Sequence, residues 1–93
     1  MSGKRLAWTI EYSDTALKKL EKLDRKSARA IADYMDERIA PCDNPRDFGK
    51  ALTGSLKGRW RFRVGDYRVI CSIREERLIV LVIDLGHRRE IYR

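Results

Sequence analysis

Two cysteines, two prolines and one histidine are all that this 93-residue chain carries of those types, and each scarcity excludes something. Cys42 and Cys71 are far apart in sequence, with no His or Cys close to either, so no metal-ligand spacing is present. Buried thiols in a reducing compartment are the simpler expectation. One histidine cannot supply a Ser-His-Asp spacing, and there is no Gly-rich phosphate loop. The carboxylates are scattered rather than paired, which argues against a two-metal nuclease. No cofactor is expected. The longest apolar run, Leu78–Ile83, is too short to cross a bilayer. The first eight residues are charged and lack the apolar core of a signal peptide. The expectation is a soluble cytoplasmic protein without a membrane partner.

Positive charge is what the chain has in excess. Lys and Arg number 21 against 14 Asp and Glu, a net charge of +7 with a pI near 9.8. Such a balance favours an anionic partner, nucleic acid first. The length allows one domain, residues 1–93, with a modest two-layer core. No internal repeat or low-complexity tract divides it.

Hydrophobic patterning predicts an α+β fold. Trp8-Thr9-Ile10-Glu11-Tyr12 alternates as an edge strand does, and Ser13 or Asp14 can cap a helix after it. Ala16, Leu17, Leu20 and Leu23 then fall at helical spacing. Asp24 is placed to cap a second helix with a stripe of Ala28, Ile31, Ala32, Met35 and Ile39, which Pro41 ends. Two amphipathic helices with so short a joint form a hairpin that must lay its apolar face on something. Residues 41–57 read as loop. Three further strands follow and form a mostly antiparallel sheet.

The first two of those strands meet at Gly65-Asp66, a two-residue loop with Gly first, as a type II′ turn requires. That register sets Val64 opposite Tyr67 and Arg63 opposite Arg68. Like charges facing across a ladder are destabilising, so the pair implies that something anionic belongs between them. Trp60, Phe62, Val64, Tyr67, Val69, Cys71, Ile73, Leu78, Val80 and Val82 share the face the helices should cover. The opposite face carries Arg61, Arg63 and Arg68, then the strip Ile79, Leu81, Ile83 and Leu85. No remaining element is long enough to cover that strip, and exposed apolar patches mark binding surfaces.

Arg88 is expected to join Arg61, Arg63 and Arg68, with Arg59 and Arg89 at the margins, in a surface for nucleic-acid phosphates. A guanidinium suits phosphate because its planar fork donates two parallel hydrogen bonds. It can stabilise the charge that develops in phosphoryl transfer, yet it cannot act as a base near neutrality. Proton transfer would fall to Tyr92, His87 or a carboxylate. A passive nucleic-acid-binding module would need only the basic sheet.

Leu52-x-Gly54, the run Gly58-x-Trp60 through Val69, and Gly86-His87-Arg88-Arg89-Glu90-Ile91-Tyr92 resemble the RelE branch of the RelE/ParE toxin superfamily. The order of strand, helical hairpin and three strands is similar as well, so the resemblance spans nearly the whole chain. It implies a toxin of a type II toxin–antitoxin pair, a RelE-like microbial ribonuclease fold that cuts messenger RNA in the ribosomal A site. The 2′-hydroxyl would attack the adjacent phosphate without a metal, which would inhibit translation. By position, Arg68 and Arg88 would grip the phosphate, and Arg61 and Arg63 would stabilise the transition state. Tyr92 would stack on a base or help activate the hydroxyl.

The resemblance also implies a RelB-like antitoxin whose helical segment wraps the toxin, with DNA met only through that complex. The other branch of the superfamily, a gyrase-inhibiting toxin of the same fold, is the alternative. Well-known members of the RelE branch carry Lys where this chain has Arg61 and Arg63. Lys can exchange a proton when its pKa is depressed, so acid–base duty would move here to Tyr92 or His87. The sequence runs one residue past Tyr92, and that side chain is expected to be ordered by RNA or ribosome.

Overall fold

A computed structural model describes residues 7–90. Strand β1 (Thr9–Tyr12) leads into helices α1 (Asp14–Lys22) and α2 (Arg25–Tyr34). Then come β2 (Lys50–Ala51), β3 (Trp60–Val64), β4 (Tyr67–Arg74) and β5 (Ile79–His87). They form one sheet in the order β1-β5-β4-β3-β2, antiparallel except where β1 runs parallel to β5. The α+β class and the edge position of the first strand are as expected. Strand β2 was read as loop, because two paired residues leave no periodicity to detect.

The helix starts follow from their caps. Ser13 Oγ accepts from Ala16 N at 3.1 Å and itself donates to Ile83 O at 3.0 Å, which ties α1 to the sheet. Asp24 Oδ2 accepts from Ser27 N at 3.1 Å, and the Ser27 hydroxyl, together with that backbone bond, holds its carboxyl below the ordinary carboxylate range. Helix α2 ends in a π-type turn, Met35–Ile39, closed by Ala40 N donating to Met35 O at 2.9 Å. Ile31, Met35 and Ile39 are spaced by four, which would drift around a 3.6-residue helix. The wider turn brings them back into line, and all three are fully buried.

The core lies between this helical hairpin and one face of the sheet. Phe62, Val69, Cys71, Val80, Val82 and Leu85 are 0% exposed there, with Trp8 and Ala16 completing the cluster. Burying a large side chain of this kind contributes about 1.5–3 kcal/mol. Two residues of the expected core sit differently. Leu17 stays 43% exposed on α1. Trp60 is half-buried with the Arg46 guanidinium 5.9 Å from its ring, outside the core cluster.

Leu85 requires a correction, since strict alternation placed it on the uncovered strip. A β-bulge intervenes: Cys71 pairs with Val82, whereas the next residue, Ile70, pairs with Asp84. Ile83 is therefore the extra residue, and beyond it the strand's alternation is inverted. Leu85 now faces the helices opposite Val69. Ile79, Leu81 and Ile83 remain half-buried. Among the described residues, no helix is long and apolar enough to cross a membrane.

Candidate nucleic-acid interface

The β3–β4 hairpin has the predicted register, with Arg63 directly opposite Arg68 and Val64 opposite Tyr67. Gly65 has φ of 59° and Asp66 does not share it, as a II′ turn demands. Arg63 is exposed, but Arg68 is only 9% exposed. Its guanidinium is folded over the turn, donating to Gly65 O and Tyr67 O, each at 3.3 Å. Gly86 faces Arg68 from β5 and brings no side chain against it. A buried cation held by two carbonyl acceptors is poorly compensated.

Arg61 lies two residues before Arg63 on the same face and is half-buried, and its Nε is buried without a hydrogen-bond partner. Lys50 on β2 pairs directly with Arg61. Sequence reasoning missed Lys50, because only the pairing of β2 gives it a face. Among the described residues, ion pairs join Lys19 to Asp84 at 2.7 Å, Arg29 to Asp33 at 3.5 Å and Arg46 to Glu75 at 3.3 Å. None of them reaches Lys50, Arg61, Arg63 or Arg68.

Arg88 begins the segment after β5, and its N–H donates to Asp66 O at 2.9 Å, which anchors it to the hairpin tip. Arg59 and Arg89 are exposed at the margins. Tyr92 lies outside the described residues. His87 departs from expectation. It pairs with Tyr67, so it shares the helix-facing side rather than the arginine side. Its ring meets Tyr67 edge-on at 5.7 Å, and Nδ1 accepts from Arg89 N at 3.2 Å.

A cleft of about 590 Å³ is also on that other side, bordered by Lys19, Lys22, Tyr67, Asp84, His87 and Glu90. Small-molecule sites are usually concave. The arginine face instead sets exposed Lys50 and Arg63 beside a half-buried Arg61 and a buried Arg68, and positive surfaces of this kind track a nucleic-acid backbone. Cys71 is enclosed in the core, and burial pushes its thiol up, as it does less strongly for Cys42. Neither is poised as a nucleophile.

A five-stranded sheet with a helical hairpin on one face and facing cations on the other defines a small α+β domain built for an anionic partner. The family model described as the ParE toxin of type II toxin–antitoxin systems, parDE, matches residues 10–92. Toxin RelG of Mycobacterium tuberculosis is 28% identical over 88 residues, covering 95% of this chain and 99% of the relative. Toxin RelE of the same organism is 33% identical over 84 residues, covering 90% and 84%. A chain of the toxin–antitoxin complex RelBE2 from M. tuberculosis superposes with a TM-score of 0.82 at 26% identity, over 96% of this chain and 100% of that one. The isolated E. coli RelE toxin, at 19% identity and a TM-score of 0.67 over 87% and 84%, shares the fold. The chain belongs to the RelE/ParE superfamily of type II toxin–antitoxin toxins.

Proposed function

We propose that this toxin is a metal-independent endoribonuclease that cuts messenger RNA in the ribosomal A site and so stops translation in the cytoplasm. The observation that carries the reading is the facing pair Arg63 and Arg68, set against each other without a carboxylate among the described residues. A phosphate between them would relieve the repulsion and satisfy the buried Arg68 guanidinium.

In the proposed reaction the ribose 2′-oxygen attacks the adjacent phosphorus. The bond to the 5′-oxygen of the next nucleotide breaks, leaving a 2′,3′-cyclic phosphate. Arg68 and Arg88 hold the phosphate, while Arg61 and Arg63 stabilise the charge that gathers on its oxygens. The 2′-hydroxyl must lose a proton and the leaving 5′-oxygen must gain one. The arginines do neither. His87 is turned to the other face beside Tyr67, so Tyr92 is the remaining candidate.

Relatives of this chain are found in toxin–antitoxin complexes. The proposed partner is an antitoxin with a helical segment that packs on Ile79, Leu81 and Ile83 and screens the arginines. Contact with DNA would come through that complex alone.

Primer extension on translated messages after induction tests the assignment. Cuts within codons are expected, and Arg68→Ala or Tyr92→Phe should relieve growth arrest while antitoxin binding persists. Unchanged toxicity in both variants would sink the assignment. Because the matching family model is described by its ParE members, inhibition of DNA gyrase is the second reading. It predicts intact messages with stalled gyrase in the same experiment. A passive RNA-binding module would bind RNA without shortening it, even on ribosomes.

A further inference from the structure

We infer that Lys50, paired with Arg61 at the edge of the arginine cluster, marks a second phosphate subsite, so that this face takes two neighbouring phosphates of one RNA strand with Arg61 reaching between them. The inference rests on the RNA reading above and extends it to a residue outside the hairpin.

Two cross-strand pairs of like charge lie side by side here. Lys50 faces Arg61 across β2 and β3, and Arg63 faces Arg68 across β3 and β4. The pairs are offset by two residues along β3, about 6.8 Å, and by one strand spacing, about 4.8 Å, so they lie roughly 8 Å apart on a diagonal. Long Lys and Arg side chains can adjust that step to the separation of adjacent phosphates on a single strand.

The placement of Lys50 is built into the fold. A Cβ on Gly49 would come within 2.9 Å of Arg61 O and 3.0 Å of the Phe62 ring, so glycine lets β2 close tightly on β3. Beyond the pair, Leu52 N donates to Arg59 O at 3.0 Å and extends the ladder. On the other flank, Arg46 spans the Trp60 ring and Glu75, which holds the preceding turn down.

Neither pair has a countercharge within the described residues. Arg61 is half-buried and its Nε has no hydrogen-bond partner among the described residues, so a phosphate oxygen could satisfy it once the side chain turns outward. Lys50 is exposed, with a mobile ammonium suited to a second, less constrained phosphate. The buried Arg68 fixes one phosphate, and the Lys50–Arg61 pair sets the direction in which the strand leaves it.

Binding of a short 2′-O-methylated RNA, which cannot be cleaved by 2′-hydroxyl attack, tests this apart from catalysis. Each phosphodiester is replaced in turn by an uncharged methylphosphonate, and anisotropy is measured with the full chain. The wild-type protein should lose affinity at two adjacent positions. Lys50→Ala should weaken binding about threefold to tenfold at low salt and lower the slope of log affinity against log salt by about 0.7. It should also become indifferent to one of the two replacements, and Lys50→Arg should restore the sensitivity. Lys18→Ala, on the outer side of α1, removes the same charge and should leave both positions sensitive. Full sensitivity at both positions in Lys50→Ala overturns the second subsite, as does an equal effect of Lys18→Ala or no binding by wild type. Intact messages in the cell alongside a two-phosphate footprint would instead overturn the nuclease reading alone.

Discussion

The two faces of strands β3 and β4 are made by alternate residues of the same few turns of chain, and they obey opposite rules. On one, Phe62, Val69 and Cys71 are fully enclosed by the helical hairpin. On the other, Arg61, Arg63 and Arg68 stand together, joined by Lys50, without a carboxylate among the described residues. The first face contributes stability by removing apolar area from water. The second spends some of it, since like charges across a ladder repel and the buried Arg68 has, among the described residues, carbonyl acceptors alone. A sheet can hold repelling charges in register because its other face fixes the register. Function and folding are therefore separable by residue parity.

The largest effect should come from the packed face. Phe62→Ala is expected to cost about 3–5 kcal/mol, read as a lower denaturant midpoint. If Phe62→Ala were tolerated within 1 kcal/mol, about the scale of an ordinary surface change, the division of labour would be wrong.

The bulge gives the next largest contrast, within a single strand. Leu85→Ala should cost about 2–5 kcal/mol, because Leu85 is in the core. Leu81, half-buried on the other side, should cost less as Leu81→Ala and lose affinity for the antitoxin instead. Antitoxin titration beside denaturation on both variants checks this. Equal loss of stability would mean that the strip is structural.

Much of this arrangement is legible in the residues themselves. Gly65-Asp66 dictates the turn, the turn dictates the Arg63–Arg68 pairing, and Ser13 and Asp24 mark the helix starts. Three features are not legible, for different reasons. Strand β2 is too short to carry a period, so Lys50 had no face until its pairing was known. The bulge adds one residue to β5 without any glycine or proline to announce it, and every later side chain changes sides. Leu85 was misplaced by that one insertion, and the same shift sets His87 beside Tyr67 on the helix-facing side. The third is the proposed proton carrier, Tyr92, which lies outside the described residues.

The packed face also predicts a pH dependence that the charged face does not. Burial raises the Cys71 thiol from its ordinary 9.0 and raises the Tyr12 phenol from 10.0 to about 12. Below pH 9 both groups are protonated whether or not the chain is folded, so stability is fully present. As pH rises further, the unfolded chain releases these protons first, and the balance shifts toward it. Stability should fall progressively from about pH 9 toward pH 12. Cys71→Val should flatten the early part of that decline in a series of urea melts. An unchanged slope would show that Cys71 is accessible to solvent.

The smallest effect is the most pointed, because it acts against the usual sign of mutation. Arg63→Gln keeps an exposed polar side chain, shorter than arginine, but removes its repulsion toward Arg68. The variant should be more stable than the parent by about 0.2–1 kcal/mol at low ionic strength. Added salt should erase the gain, since exposed charges are screened within about 10 Å at 0.1 M. Binding of RNA should weaken in the same variant, so stability and affinity move in opposite directions. If Arg63→Gln is instead less stable at every salt concentration, the two guanidiniums are not in conflict. The case for an anion between them would then lose its physical basis.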